Sequence, residues 1–324
     1  MIEKRHKTDS VKTASIEAVL ERIDDQEIKE QVRTLCPPER STPMLNIKEY
    51  FAAQKEEIKK IVAGYNFPPQ IGIFQVGHNP ASDAYVRGKM RDMKEVGIPC
   101  KHIRFNDNIT DELFQDEFYL LSQHNYGSCS FAGVMLQLPL PEGFNTKKAL
   151  GYIEPIKDID GLVQGSDAIP ATARGIIDYL EANNYDFVDK NVVIIGRSEL
   201  VGRPLAKLFL DRSANVTVLH SKTSAENRAN ALCYANIVVV AVGQRNLLRD
   251  EDIWQTAPDC MIFDVGINRG EDGHLYGDCE SVTKREKTPV PGGVGLLTRL
   301  ALLRNIIDVC GDQMRAELLT GEVE

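Results

Sequence analysis

The sequence predicts an α/β fold of two domains with parallel-type sheets, the second of them Rossmann-like, and three observations carry that expectation. Short apolar runs alternate with segments of helical periodicity from Gln70 onward, a βαβ rhythm that imposes right-handed crossovers and a mainly parallel sheet. In the second half the runs "NVVIIG", "NVTVLH", "NIVVVAVG" and "CMIFDVGI" are almost continuous in Val and Ile, the composition of strands covered on both faces. Finally, "NVVIIGRSELVGRPLAKLF", Asn191 to Phe209, leads an apolar run into Gly196 and a helical pattern past Gly202. At 324 residues the chain is long enough for each domain to bury its own core.

Residues 1–45 are densely charged and read as an extension of unknown role. Within them Ile16, Leu20, Ile23, Ile28, Val32 and Leu35 recur at helical intervals, and the prolines of "CPPERSTPM" stop the pattern. A helix follows from about Ile47 to Val62, since Ile58, Ile61 and Val62 share a face. "QIGIFQVG" reads as a strand ending at Gly77, "ASDAYVRGKMRDMKEVG" as a helix, "KHIRF" as a strand, and Asp111 to Tyr126 as a helix. "SFAGVMLQLPLP" is the next strand, stopped by Pro139 and Pro141. A helix from Ala173 to Asn184 leads into the second half, whose four strands end near Gly196, His220, Gly243 and Ile267. A last amphipathic helix is expected from about Leu297 to Leu319. Ligands of open α/β sheets bind beyond the carboxyl ends of the strands, so the loops there should carry the chemistry.

Composition excludes several classes. Asp and Glu outnumber Lys and Arg by 47 to 38, a net charge of -9, so no nucleic-acid partner is expected. The seven cysteines contain no C-x-x-C pair, which argues against a structural metal site and against a disulfide framework. "MIEKRHKTDS" has no apolar targeting core and no later run has membrane-spanning length, so the expectation is a cytoplasmic protein without a membrane partner. "GRSEL" is not the G-x-S-x-G elbow of hydrolases, and neither H-E-x-x-H nor a Walker A lysine occurs.

The turn "VIIGRSELVGRP" departs from G-x-G-x-x-G because Ser198 sits where the middle glycine belongs. Gly196 relieves crowding at the strand exit, and Gly202 lets strand and phosphate approach the helix backbone. Backbone N–H groups at the helix start can hold a pyrophosphate, with a hydroxyl from Ser198 and a charge from Arg197. A plain tight βα turn, or another anion site, explains the same residues. The next strand ends in "VTVLHSKT", so His220, Ser221, Lys222 and Thr223 stand where a NAD-type site carries an acidic residue. A neutral-to-basic cluster suits a 2′-phosphate, which favours NADP, with NAD as the alternative. Lys222 also reads as an ordinary solvated turn lysine.

In "NPASDAYVRGK", Ser82, Tyr85 and Lys89 are spaced to share one helix face. Tyr85 can stack on a planar ligand and Lys89 can hold a charge or shuttle a proton. An ordinary half-exposed surface has the same spacing. Gln137, inside "MLQLPLP", is a polar residue at a strand end, suited either to ligand recognition or to pairing with backbone loops. "KDIDG" supplies Asp158 and Asp160 before a turn at Gly161. Two carboxylates can bind a metal or recognise an amidine-like ring edge, but alone they do not make a metal site. His78 opens a loop near the same face and is a further candidate acid or base.

The segments "VGHNPASDAYVRGK", "VMLQLPLP", "KDIDG", "IIGRSELVGRPLA", "VTVLHSKT", "VVVAVG", "DVGIN" and "TPVPGGVG" occur in one order. In that order the chain resembles the bifunctional methylenetetrahydrofolate dehydrogenase/methenyltetrahydrofolate cyclohydrolase family over roughly residues 47–318. The resemblance implies a folate-binding catalytic domain over residues 46–170, rejoined by the C-terminal helix 297–319, and a Rossmann-like NAD(P)-binding domain over 171–296. The folate cleft lies between them, and the protein is expected to be a homodimer acting on small molecules. Lys89 is implied as the central catalytic residue, Gln137 as its assistant, Tyr85 as a stack on the folate ring system and Asp160 as the anchor of the pterin-like end. Pro291, Gly292 and Gly293 of "PVPGGVG" are implied to line the cleft beside the nicotinamide. The implied cofactor residues are Gly196, Arg197, Ser198, Gly202, His220, Ser221, Val242, Gly243 and Ile267, with no metal.

The chain also departs from the family. "PATARG" replaces "PCTPxG", placing Ala171 and Ala173 at the cysteine and second proline, and the segment before it is short. Leu296 of "GGVGLLT" replaces a proline, which is expected to loosen that loop. A monofunctional dehydrogenase, and a weakened folate- or nucleotide-binding interaction protein, are the competing readings.

Overall fold

The computed structural model describes residues 44–123 and 131–320. The expected N-terminal helix, the "CPPERSTP" stop and the end of the helix expected to reach Tyr126 lie outside these residues.

Helix α1 (Ile47–Ala63) starts on Asn46, whose side-chain oxygen accepts from the amides of Lys48 and Glu49. Strand β1 (Ile71–Val76) follows, then α2 (Pro80–Val96), β2 (Cys100–Phe105), α3 (Asp111–Gln123), β3 (Gly133–Leu136) and the short α4 (Thr146–Leu150). The three strands form a parallel sheet in the order β2-β1-β3. Asn79 caps α2 and Gly97, in the left-handed region, ends it. Of the long expected strand, Gly133–Leu136 forms the ladder with β1, the flanking amides of Ala132 and Gln137 bond to the Gln70 and Phe74 carbonyls, and pairing goes no further because Pro139 and Pro141 have no N–H to give.

The second half runs α5 (Ala171–Ala182), β4 (Asn191–Ile195), α6 (Gly202–Leu210), β5 (Asn215–Leu219), α7 (Ala225–Leu232), β6 (Ile237–Val240) and β7 (Met261–Asp264). The pairs β8 (Asn268–Arg269) and β9 (Leu275–Tyr276), then β10 (Glu286–Lys287), precede the long α8 (Val294–Thr320). Its main sheet is parallel in the order β10-β7-β6-β4-β5. The order reverses at β4, so the loops after β4 and β6 flank a switch point where ligands of such sheets bind.

Strand alternation sorts side chains between cores. Ile71 and Ile73 of β1, with Val192 and Ile194 of β4, join one core that spans both halves through α1, α5 and α8. Phe74 and Val76 face an aromatic cluster with Phe105, Phe114 and Phe118, while Val193 and Ile195 face the far side of the second sheet. Helix α8 packs on α5, α1 and α2. Its approach to α5 is close enough that a Cβ on Gly175 would lie 2.5 Å from the Leu297 carbonyl oxygen. The chain thus returns from the second sheet to the first, and the loops at the sheet ends meet across a cleft.

Candidate active site

A cavity of about 380 Å³ lies between the two sheets. Its walls are the N-terminal part of α2, the segment after β3, the "KDIDG" loop, the loops after β4 and β7 and the start of α8. Ser82, Tyr85 and Lys89 all line it, as the one-face spacing predicts, but Lys89 is no half-exposed surface residue: it is only 7% exposed. Its Nζ donates to Gln137 Oε1 at 3.3 Å and lies 3.7 Å from Met135 Sδ. Gln137 in turn donates its Nε2 to the Leu138 carbonyl at 2.7 Å, which fixes its Oε1 toward the lysine. Burial pushes the Lys89 ammonium below the ordinary lysine range, while the Asp160 carboxylate pulls the other way. Burial likewise raises the Tyr85 hydroxyl, tempered by the charge of Arg299.

The two aspartates of "KDIDG" divide their work. Asp158 is turned into the loop, where Oδ1 accepts from the amides of Asp160 (3.1 Å) and Gly161 (3.0 Å) and Oδ2 from that of Val163 (2.9 Å). It shapes the loop, and Asp160 lines the cavity. Gly161 is required at φ +73°, since a Cβ there would sit 2.4 Å from the Ile169 carbonyl carbon and the Pro170 nitrogen. No group of three His, Cys, Asp or Glu side chains among the described residues can hold a metal ion.

Asn305 of α8 braces the same loop and was not anticipated. It is fully buried and donates to the carbonyls of Ile159 and Ile169, 2.9 Å each. Arg174 donates to its Oδ1 at 2.6 Å. The available signal was one amide inside the apolar stripe "LALLRNII". Of the altered "PATARG" segment, only Ala171 and Thr172 line the cavity; Ala173 is in the core and Arg174 pairs with Asp308 at 2.6 Å.

Pro291, Gly292 and Gly293 line a smaller neighbouring cavity of about 180 Å³, not the Lys89 cavity itself. Tyr85, Val265, Ile267, Val294 and Gly295 are common to both. Leu296 donates its N–H to the Gly293 carbonyl at 2.9 Å. A proline cannot make that bond, so the hydrogen bond counters the loosening expected from the lost ring constraint.

On the opposite wall, the glycine turn after β4 is a cradle that side chains would fill. A Cβ on Gly196, at φ +121°, would lie 2.4 Å from the Ala241 carbonyl oxygen, and one on Gly202 would lie 2.2 Å from that of Gly196. Ser198 Oγ accepts from the Val201 amide (3.2 Å) and the Ser198 carbonyl from the Arg203 amide (3.0 Å), which sets the entry of α6. Arg197, Ser198, Ser221 and Lys222 are exposed at this edge. The His220 ring is engaged in its own turn, where Nδ1 accepts from the Lys222 amide at 3.2 Å. This turn fits a dinucleotide: free approach for a pyrophosphate at a helix start, and a hydroxyl-rich, basic edge where a ribose phosphate belongs.

The amides of Val242 and Gly243 both donate to Asp278 Oδ2 at 2.9 Å, which leaves side chain, Cα and carbonyl as the groups these two residues offer a ligand. Asp278 is fully buried, accepts from Asn268 Nδ2 at 3.0 Å through Oδ1, and donates its own amide to Asp264 Oδ1 at 2.8 Å. It ties the loop after β6 to the segments around β8 and β9. Its partner Asp264 stands in the apolar run "IFDVG", whereas "YGDCE" around Asp278 itself carries no apolar pattern. His78 is reassigned: its ring stands at the surface against Arg104 and Asp83 and does not line the cavity.

Residues 45–160 match the family model described as tetrahydrofolate dehydrogenase/cyclohydrolase, catalytic domain, and residues 170–314 the corresponding NAD(P)-binding domain. The bifunctional protein FolD of Bacillus subtilis (strain 168) is 36% identical over 274 residues, covering 80% of this chain and 92% of the relative. Among solved structures, the bifunctional enzyme FolD from Campylobacter jejuni superposes with a TM-score of 0.74 at 33% identity, over 84% of this chain and 99% of that one. The methylenetetrahydrofolate dehydrogenase-cyclohydrolase of Trypanosoma brucei, solved with NADP cofactor and inhibitor, reaches a TM-score of 0.74 at 27% identity, over 85% and 99%.

Proposed function

Because the chain belongs to the tetrahydrofolate dehydrogenase/cyclohydrolase family, we propose that it oxidises 5,10-methylenetetrahydrofolate with NADP and hydrolyses the methenyl product to 10-formyltetrahydrofolate. The observation that carries this reading is Lys89, a buried amine 3.3 Å from Gln137 Oε1 on a cavity wall shared with Tyr85 and Asp160. NADP is favoured by the "HSKT" edge, which offers no carboxylate to repel a 2′-phosphate.

NADP, which the turn at Gly196, Ser198 and Gly202 and the Ser221 edge would hold, would supply the acceptor for a hydride from the one-carbon bridge of the folate. The folate nitrogens stabilise the resulting cation, so the protein's task in this step is orientation. Tyr85 stacks on the ring system, Asp160 anchors the pterin-like end, and Ile267 and Gly295 bound the opposite wall. In the second step water adds to the methenyl carbon. Lys89, held toward its neutral form by burial, takes one proton from that water and returns it to the ring nitrogen as its bond to the carbon breaks, while the remaining hydroxyl proton leaves to solvent and the formyl carbonyl forms. Gln137 Oε1 accepts from Nζ in both protonation states and keeps the amine aimed at the reacting carbon.

The same proposal covers the organisation: a folate-binding domain over residues 46–170 completed by the C-terminal helix, a cofactor domain over 171–296, and a homodimer in the cytoplasm. Among the described residues no helix is long and apolar enough to cross a membrane. The test supplies purified protein with 5,10-methylenetetrahydrofolate and NADP or NAD, and separately follows the decay of methenyltetrahydrofolate. Reduction of NADP with accelerated decay is expected. Reduction without acceleration leaves a dehydrogenase alone, and neither activity in a folded protein refutes the reading.

A further inference from the structure

We propose that Arg299 forms a carboxylate subsite, in the smaller cavity beside Tyr85, for the glutamate-bearing tail of the folate substrate. The inference rests on the folate reading above and adds to it the group that recognises the end of the substrate remote from the pterin.

The smaller cavity is an apolar passage. Leu275, Val290, Pro291 and Leu296 line it, and Tyr85 joins it to the Lys89 cavity. Its charged lining residues are Asp264 and Arg299. Asp264 is directed away from ligands, because its two oxygens accept from the amides of Asp278 and Cys279 at 2.8 Å each. Arg299 is therefore the charge this passage offers to a ligand.

The guanidinium is held in place by other groups. Its Nε donates to the buried Asp92, and its Cζ lies 5.4 Å from the centre of the Phe51 ring. The bond to Asp92 is made by Nε, so the terminal nitrogens are not the ones it engages. Gly88 lies beside it: a Cβ there would be in ordinary contact, 3.4 Å from Arg299 Cζ and 3.5 Å from Nη1. Gly88 also lines the cavity, three positions from Tyr85 on α2 and so on nearly the same face.

An apolar passage that carries one anchored guanidinium recognises an aryl group bearing a carboxylate. The proposed substrate has that sequence of groups. With its pterin at Asp160 and its one-carbon bridge beside Lys89, its benzoyl ring passes Tyr85 and its glutamate reaches the passage. Arg299 pairs with one of the tail's carboxylates.

The test compares two substrates, 5,10-methylenetetrahydrofolate and the 5,10-methylene derivative of tetrahydropteroate, which lacks the glutamate. Each is assayed with NADP in the unmodified protein, in Arg299→Met and in Arg299→Lys. The unmodified protein should show a KM lower by about tenfold for the glutamate-bearing substrate, the scale of one charge-assisted hydrogen bond. Arg299→Met should bring the two KM values together, and Arg299→Lys should restore part of the preference. Asp92 keeps Lys55 as a partner at 3.2 Å in these variants. If Arg299→Met does not fold, Asp92→Asn/Arg299→Met removes the carboxylate left behind and is read the same way. A KM ratio that survives the loss of Arg299 overturns the subsite alone, as does an equal KM for both substrates in the unmodified protein. Turnover of neither substrate by the unmodified protein overturns the functional reading and the subsite with it.

Discussion

Replacing Lys89 by methionine isolates the amine from the volume it fills. The two side chains are close in length, so the substitution deletes the donor to Gln137 Oε1 at 3.3 Å while leaving an apolar chain against Met135. A positioned acid or base contributes about 10²–10⁴-fold. Loss of methenyl hydrolysis by about 10³-fold, or about 4 kcal/mol of barrier, is the expected effect. Hydride transfer needs no base and should fall far less. Stability moves in a direction that burial dictates. The folded ammonium is driven below its ordinary value of 10.5, so the unfolded chain binds more protons between the two pKa values, and stability rises with pH there. The cost of the buried charge is fully present below the folded pKa and disappears above the unfolded one. Lys89→Met should therefore melt higher than the unmodified protein near neutrality, with the difference shrinking as the pH rises toward 10.5. Methenyl decay and thermal melts across pH test both parts. Near-normal hydrolysis in a folded variant would remove Lys89 from the hydrolytic step, and a melting difference that grows with pH would rule out a buried ammonium as its cause.

Three further outcomes follow from the cofactor wall. Gly202→Ala places a Cβ 2.2 Å from the Gly196 carbonyl oxygen, which should cost about 1–3 kcal/mol of stability and weaken NADP binding in a fluorescence titration; unchanged affinity counts against the turn. Asp278→Asn cannot accept from the Val242 and Gly243 amides and from Asn268 together, so the KM for NADP should rise by about tenfold, whereas a lowered melting point with unchanged KM would make the residue merely structural. Ser221→Asp puts a carboxylate at the exposed "HSKT" edge and should weaken NADP more than NAD; equal losses for both cofactors remove the ribose-phosphate argument.

The long parallel strands and their crossover helices were legible because their apolar periods differ, and because Val and Ile crowd the strands of the second sheet. Helix α7 was not legible, since "AENRANAL" carries no apolar stripe and buries only Leu232. The two-residue strands β8, β9 and β10 are shorter than any period can register. At the site, Tyr85, Lys89, Gln137 and Asp160 stood out as polar residues at helix-face and strand-end positions, and they meet in one cavity. The burial of Lys89 was not readable, because it depends on segments far along the chain. Asn305 and Asp278 were missed for the same reason: the Ile159 carbonyl bonded by Asn305 and the Val242 amide bonded by Asp278 are distant in sequence. Val242 and Gly243 lie at the right strand end, but the buried carboxylate that takes their amides came from beyond the next strand.

The most direct test of one cavity serving two reactions is the product balance of a single incubation. Protein is given 5,10-methylenetetrahydrofolate and NADP, and reduced nicotinamide, methenyltetrahydrofolate and 10-formyltetrahydrofolate are quantified together over time. The account predicts 10-formyltetrahydrofolate rising in step with reduced nicotinamide, with little free methenyl compound, and loss of that coupling in Lys89→Met. Methenyltetrahydrofolate accumulating in step with reduced nicotinamide, and decaying no faster than without protein, would contradict it.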